Sequence, residues 1–559
     1  MDAFLPWDET AIAGIRDSER QILLGEVTSF LTGQIRALPR RLQLLFIVGV
    51  FGFATLVRLR HPLGLRAQPR GRRVAIVEKW AFGRFALGRS LFRLIRSTAL
   101  LAFYDHPRVA NALGVGETKA ARSPERVEIR RSAVSTERAE MLVIGSGAGG
   151  AVTAHELARR GRSVLIAEEG ARHGAADYGS SPPEAMKKLY RRRGMMPIMG
   201  SIPIGYVEGC CVGGSTEINS GFWHRVPPET LLRWQAQYDL DESAVANLAP
   251  HFEWAEGVLG VGPHPEAWPP GTKILARGAE RMDWTAEEVP RMAQGCRSTN
   301  ACASGCPTGA KQGMSRSIVP RAEASGARLL ERCRVRRLLT ERGRVTGAIA
   351  EVRRPDGTVE VVRIGAEHVI VCAGPTETPV LLRRSGVRRH IGDTLRIHPM
   401  LKLVARFPEV IDAHRTVLPL IQVKEFAPEI TLGGAFFTAG HAAMVLSENW
   451  NSTRSAMEDV RRLGTYYVAV RGAGTGRVRA SRLDGSTIIS HELYDEDVWN
   501  LSKGLARLAL LLLAAGAEEL FPAVWGLPSI RSERDAVRWL DDRLPRGALA
   551  LTTVHAFSS

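Results

Sequence analysis

The run from Glu140 to Gly170, EMLVIGSGAGGAVTAHELARRGRSVLIAEEG, constrains the fold more than any other part of the sequence. An apolar strand ending at Ile144 meets Gly145-x-Gly147-x-x-Gly150. An amphipathic helix follows, then a second apolar strand, Val164 to Ala167, and an acid, Glu168. This order is the βαβ unit of a nucleotide-binding fold, and each glycine has a physical reason. Gly145 permits a tight turn, Gly147 lets the backbone approach a pyrophosphate, and Gly150 lets the helix pack on the strand. Gly149 lies in the same turn. The helix N-terminus offers unpaired N–H groups and partial positive charge to phosphates. Glu168 stands at the distance expected of an acid that accepts hydrogen bonds from ribose hydroxyls. A glycine-rich turn without a ligand would leave that acid without a role. The unit predicts a dinucleotide site but does not separate FAD from NAD.

Two further segments carry a family resemblance. GCCVGGSTEINSGFW, Gly209 to Trp223, resembles the first signature of the glucose–methanol–choline (GMC) oxidoreductases, flavoenzymes that oxidise alcohols by moving a hydride to FAD. The resemblance implies FAD, with Gly213, Gly214, Ser215 and Asn219 bordering its pyrophosphate and isoalloxazine. Paired glycines suit that position because backbone N–H groups can reach an anionic edge without side-chain clash. The pattern departs at Val226, where a small residue or proline is usual. VIVCAGPTETPVLLRRSGV, Val369 to Val387, resembles the later signature and implies Ala373 and Gly374 at the adenosine end. It departs at Arg388, where glycine is usual. His398-Pro399 looks like the His-Pro pair that commonly follows, although a lone histidine beside proline reads as structural.

Near the end of the sequence, TTVHAFSS places His555 where the family keeps its proton acceptor. An imidazole with an ordinary pKa of about 6.5 can take an alcohol proton at neutral pH. Family members continue past this histidine through a segment with a second catalytic His or Asn, whereas this sequence ends at Ser559. A truncated chain, a segment supplied by a separate polypeptide and an inactive flavin-binding remnant are all open at this point.

Cys296, Cys302 and Cys306 are spaced C-x5-C-x3-C-P and admit three readings. Similar segments in long-chain alcohol oxidases line the flavin domain without metal, which is the structural reading. The segment also resembles one that holds an iron–sulfur cluster in the flavin subunit of some dehydrogenases. A zinc site is the third reading, but it lacks a nearby fourth ligand. Lys311 is a candidate flavin-side or loop contact. Cys210 and Cys211 read as small apolar neighbours of the flavin, and Cys333 and Cys372 as core residues.

Composition bounds the remaining choices. A formal charge of +17 raises the question of nucleic acid, but the arginines are spread along the chain without interleaved aromatics, so no nucleic-acid partner is expected. An anionic membrane surface fits better. The first twenty residues carry acids and no apolar core, which argues against a secretory signal, and seven irregularly spaced cysteines suit a reducing compartment. A cytoplasmic protein, membrane-associated if residues 42–57 insert, is expected. That segment, LQLLFIVGVFGFATLV, is short for a span, so its length favours a buried core helix while its flanking arginines favour membrane. The apolar run Leu505 to Ala515 reads as a buried helix, and Gly343 to Ile364 as a hairpin about Pro-Asp-Gly.

The expected architecture is α/β: a Rossmann-type FAD-binding domain with an inserted α+β substrate domain and a helical N-terminal extension. The divisions fall at 1–136 (helical extension), 137–399 (FAD-binding), 400–545 (substrate) and 546–559 (return to the FAD domain). The expected function is FAD-dependent oxidation of an alcohol, with a long-chain alcohol as first candidate. The alternatives are a dehydrogenase flavin subunit that passes electrons through an iron–sulfur cluster to a cytochrome or quinone partner, and the inactive remnant.

Overall fold

The computed structural model describes residues 2–7, 9, 12–83, 86–116, 136–179, 181–239, 241 and 247–557. The expected boundary near Ser135, and most of the polar connection around it, lie outside the described residues. The N-terminal part is helical: α1 (Asp17–Ala37), α2 (Arg40–Arg60), α3 (Arg70–Ala81), α4 (Ala86–Tyr104) and α5 (Pro107–Ala112). On α1 the buried residues Leu23, Val27, Phe30, Leu31 and Gln34 fall on one stripe at the helical period, and that stripe meets α4. Trp7 packs edge-to-face on Phe103 with centroids 5.3 Å apart, and the Tyr104 hydroxyl donates to Glu9 Oε1 at 2.6 Å. α1, α4 and α5 share one continuous apolar core with the larger sheet of the molecule, whereas α3 packs in a smaller cluster of its own.

The core-helix expectation for residues 42–57 is not met. These residues lie in a 21-residue helix, α2, whose apolar side chains face outward, and of its residues only Val57 is buried. The length criterion failed because the helix extends at both ends through its arginines. The run Leu505 to Ala515 behaves as expected. It belongs to the helix Asp495–Ala514, which buries Leu501, Leu505, Leu508, Leu511 and Leu512.

Next among the described residues come β1 (Thr136–Ile144), then α6 (Ala148–Ala158) and β2 (Val164–Ala167). β1 and β2 are parallel, with Met141 opposite Val164 and Ile144 opposite Ala167. They are the inner strands of a six-stranded sheet, ordered Arg328–Leu330, β2, β1, Val359–Val371, Arg344–Arg353, Cys333–Glu341. The first four run parallel and the last two antiparallel. Val359–Val371 and Arg344–Arg353 form the expected hairpin, with Arg353 opposite Val359. Its turn is held by Asp356 Oδ1, which accepts from the Thr358 N–H at 2.9 Å and its hydroxyl at 2.7 Å.

The second sheet has eleven strands, and they come from both sides of residue 400. Met196–Met199, Ile204–Tyr206 and Ala286–Glu288 join later strands such as Met400–Arg406, Leu463–Val470 and Leu551–Thr553. The helix Asp495–Ala514 lies on this sheet, close enough that a Cβ on Gly504 would meet Val468 Cγ1 at 2.3 Å. A short antiparallel ribbon pairs Ile397 with Ala556 and Arg396 with Phe557. That ribbon brings together two parts of the chain that are far apart in sequence.

Candidate active site

The glycine turn after β1 is built as its spacing requires. Gly145 has φ +99°, and a Cβ there would meet the Cys372 carbonyl oxygen at 2.3 Å, so only glycine fits. A Cβ on Gly150 would meet the Gly145 oxygen at 1.9 Å, which is why the helix can sit against the turn. Gly147 is different, because nothing lies within 4 Å of a Cβ placed on it. It is the N-cap of α6, and no side chain caps that helix. Gly149 lies in the first turn, 3.9 Å from Cys372 Sγ.

A second helix repeats the arrangement. Gly374–Arg384 begins at Ala373 without a side-chain cap, and nothing lies within 4 Å of a Cβ on Gly374. It follows the strand Val359–Val371, the parallel neighbour of β1. Two uncapped helix N-termini, each beside an open glycine, therefore stand at the carboxyl ends of adjacent parallel strands. In open α/β sheets this is where ligands bind, and the paired N–H groups and dipoles suit an anion. Residues Gly145, Gly147, Gly149, Gly150, Ala373 and Gly374 are thus gathered in one crevice and fit a dinucleotide phosphate.

Glu168 directly follows β2, with its carboxylate buried. Oε2 accepts from the Ser146 N–H at 2.9 Å and its hydroxyl at 2.7 Å, and Oε1 accepts from the Gly170 N–H at 2.8 Å. Burial raises its pKa, and these hydrogen bonds oppose that rise. The acid thus ties the glycine turn to the end of β2. Just beyond it, a cavity of about 520 Å³ is lined by Glu169, Gly170, Arg191, Arg192, Arg334 and Glu377, among others. The Arg191 guanidinium is held between Glu169 at 2.7 Å and Glu208, and Arg334 reaches Glu377 at 3.1 Å.

The segment 213–219 lies against the same turn. The Gly213 N–H donates to Ser146 Oγ at 3.0 Å, and a Cβ on Gly214 would meet Gly147 Cα at 3.2 Å. The hydroxyl of Ser215 accepts from the Gly209 N–H at 3.0 Å, and the Asn219 side-chain oxygen from the Gly221 N–H at 3.1 Å. Both side chains shape their own loop. Lys311 proves to be a loop contact. Its buried ammonium donates to the carbonyls of Glu217, Asn219 and Cys302 at 2.8, 2.9 and 2.7 Å, and burial lowers its pKa.

The cysteine segment is organised by a residue that sequence reasoning missed. Arg291 is only 1% exposed, and its guanidinium donates to the Ser220 carbonyl, to Cys302 Sγ at 3.2 Å and to Cys296 Sγ at 3.5 Å. Cys306 Sγ turns elsewhere and accepts from the Lys311 N–H at 3.4 Å. A fixed positive charge thus stands between two of the three thiols. Among the described residues no three Cys, His, Asp or Glu side chains gather in a metal-binding arrangement. Cys372, expected in the core, is only half-buried and borders the glycine turn. Cys296 and Cys302 lie only 5 and 11 residues along the chain, whereas the Ser220 carbonyl comes from a loop 71 residues away.

The ribbon of Arg396–Ile397 with Ala556–Phe557 places His398 against His555, Nδ1 to Nδ1 at 3.4 Å, with rings at 88°. The Phe557 ring lies 4.7 Å from that of His398. His398 is thus brought beside His555, the candidate proton acceptor. Burial, then the charges of His555 and Arg471, push its pKa down to about 4, and the desolvation of its crowded neighbourhood lowers that of His555, although part of that residue stays exposed. His224, at the end of the first signature, is also pushed down to about 4 by burial, then by Lys424 and His555. These imidazoles are neutral at pH 7 and can accept protons. The helix starting at Gly374 packs against the strand Ala556–Phe557, which links the crevice to the histidines.

The GMC oxidoreductase family model matches residues 139–400. An uncharacterized GMC-type oxidoreductase, y4nJ, of Sinorhizobium fredii is 36% identical over 75% of this chain and 83% of its own length. The long-chain-alcohol oxidase FAO3 of Arabidopsis thaliana is 25% identical over 68% of this chain and 54% of its own length. A crystal structure of formate oxidase shares the fold with a TM-score of 0.54 at 15% identity, covering 73% of this chain and 87% of that one. The glycine crevice, the two signatures and these likenesses lead to one conclusion: the chain belongs to the GMC oxidoreductase family.

Proposed function

We propose that this chain binds FAD in the crevice between α6 and the helix Gly374–Arg384, and oxidises the CH–OH group of an alcohol with His555 as proton acceptor. The observation that carries the reading is the pairing of neutral His398 and His555 beside a helix that itself begins at the crevice. When bound, FAD supplies the hydride acceptor that no side chain can provide. The N–H groups at both helix starts hold the pyrophosphate, and Glu168 keeps the glycine turn rigid. With Nδ1 of His555 turned to His398, its Nε2 is the nitrogen left to take the hydroxyl proton. His398 fixes the orientation of that ring as a positioning residue.

A long-chain primary alcohol is the first substrate to try, supported by the likeness to long-chain-alcohol oxidases. The test is visible absorbance of the purified chain, mixed with such an alcohol in the absence of oxygen. Flavin bands should be present and should bleach. His555→Ala should keep the bands and slow bleaching by about 10²–10⁴, the ordinary contribution of a general base. Bands that bleach equally fast in the variant would remove His555 from the reaction.

A further inference from the structure

α2 is apolar on every side, and the protein covers almost none of it. Leu44, Leu45, Val48, Phe51 and Leu59 are 55 to 75% exposed. At about 100° per residue these five fall within an arc of about 120°, and Ile47, Val50 and Leu56, 38 to 46% exposed, widen the uncovered apolar surface to about 240° of the circumference, broader than the narrow seam a partner helix covers. A helix that is apolar all round is stable in a protein core or in lipid. The core is ruled out, since only 6% of its most apolar window is buried.

The surrounding charge identifies the lipid. From Arg36 to Arg73 the sequence holds nine arginines and no aspartate or glutamate. Arg40 and Arg41 stand at one end of α2 and Arg58 and Arg60 at the other, all exposed. Cations flanking an apolar helix are attracted to anionic headgroups. The flanking helices decide how α2 sits. Gln34 on α1 donates to the Arg193 carbonyl at 3.0 Å, and Phe53 packs edge-on against Trp80 of α3 and Phe92 of α4 at 5.6 and 5.0 Å. One face of α2 thus stays packed beside α3 and α4, an arrangement that fits a helix lying along a bilayer surface better than one crossing it.

We propose that α2 is a monotopic anchor, embedded in one leaflet of a bilayer with anionic headgroups, its four flanking arginines set on the phosphates. The proposal is independent of the substrate and of FAD. It is tested by sedimenting the full chain with vesicles of phosphatidylcholine alone, and of phosphatidylcholine mixed with phosphatidylglycerol. The chain should pellet with both and bind the anionic vesicles more tightly, with the excess lost in high salt. Replacing Arg40, Arg41, Arg58 and Arg60 by Gln should remove that excess, about fivefold for each arginine. The triple variant L45E/V48E/F51E should lower partitioning at least about hundredfold. All these side chains are exposed, so melting temperatures measured in parallel should be unchanged. A chain that stays in the supernatant with both vesicles, or a triple variant that pellets as before, overturns the proposal. So does a lipid-free dimer that the triple variant converts to monomer without any vesicle binding, since a second copy would then cover α2.

Discussion

α2 and the helix Asp495–Ala514 are almost the same length, 21 and 20 residues, and both carry long apolar runs. One is nearly bare and the other is the centre of the core. The difference lies in how polar residues are distributed. Asp495–Ala514 opens with three acids and keeps Lys503 and Arg507 on its length, so one face is left purely apolar and meets a sheet. α2 keeps its charges at its ends and has no polar face to turn to water. Apolarity on one side calls for a protein partner, whereas apolarity all round on a surface helix calls for another solvent.

The largest expected contrast comes from truncating apolar residues. Leu505→Ala should cost about 2–5 kcal/mol, because the side chain is fully buried and leaves a cavity. Phe51→Ala, 69% exposed, should stay within about 0.5 kcal/mol. Thermal or denaturant unfolding of the two variants measures the difference, and equal losses would mean that α2 is packed against something in solution.

A smaller contrast concerns glycine. Gly504→Ala forces a methyl into the stiff, buried Val468 side chain and should cost about 1–3 kcal/mol. Gly52→Ala on α2 meets nothing within 4 Å and should stabilise by roughly 0.5–1 kcal/mol through lower backbone entropy in the unfolded chain.

The subtlest contrast is in pH. His398 and His414 are held down to about 4 and His441 to about 3, mainly by burial. Unfolded, these imidazoles return to about 6.5 and take up protons first. Stability is therefore full above pH 6.5 and is lost as pH falls through the folded values near 4. Arg40 to Arg60 contains no group that titrates in that window. Melting temperature should fall between pH 6.5 and 4 while vesicle binding by α2 holds, and a parallel fall in both would join the two regions energetically.

Much of the fold was legible because its signals are local. The βαβ unit, the hairpin about Pro-Asp-Gly and the buried Leu505 helix each rest on spacing within some thirty residues. Of the site, the glycine crevice was legible for the same reason. The exposure of α2 was not, since whether an apolar helix is covered depends on what else packs there. The proximity of His398 to His555 was not legible either, because the two are 157 residues apart, and the role of Arg291 was not, because whether a guanidinium is buried against nearby thiols depends on what packs over it.

By itself, then, the sequence determined the glycine turn, the helix starts and the acid that braces them, since backbone sterics and hydrogen bonding act over a few residues. The tertiary structure alone decided that a guanidinium separates Cys296 from Cys302, that a two-stranded ribbon sets one histidine against another 157 residues away, and that α2 stays bare. Those outcomes depend on burial and on contacts between distant segments, which exist only once the chain has packed.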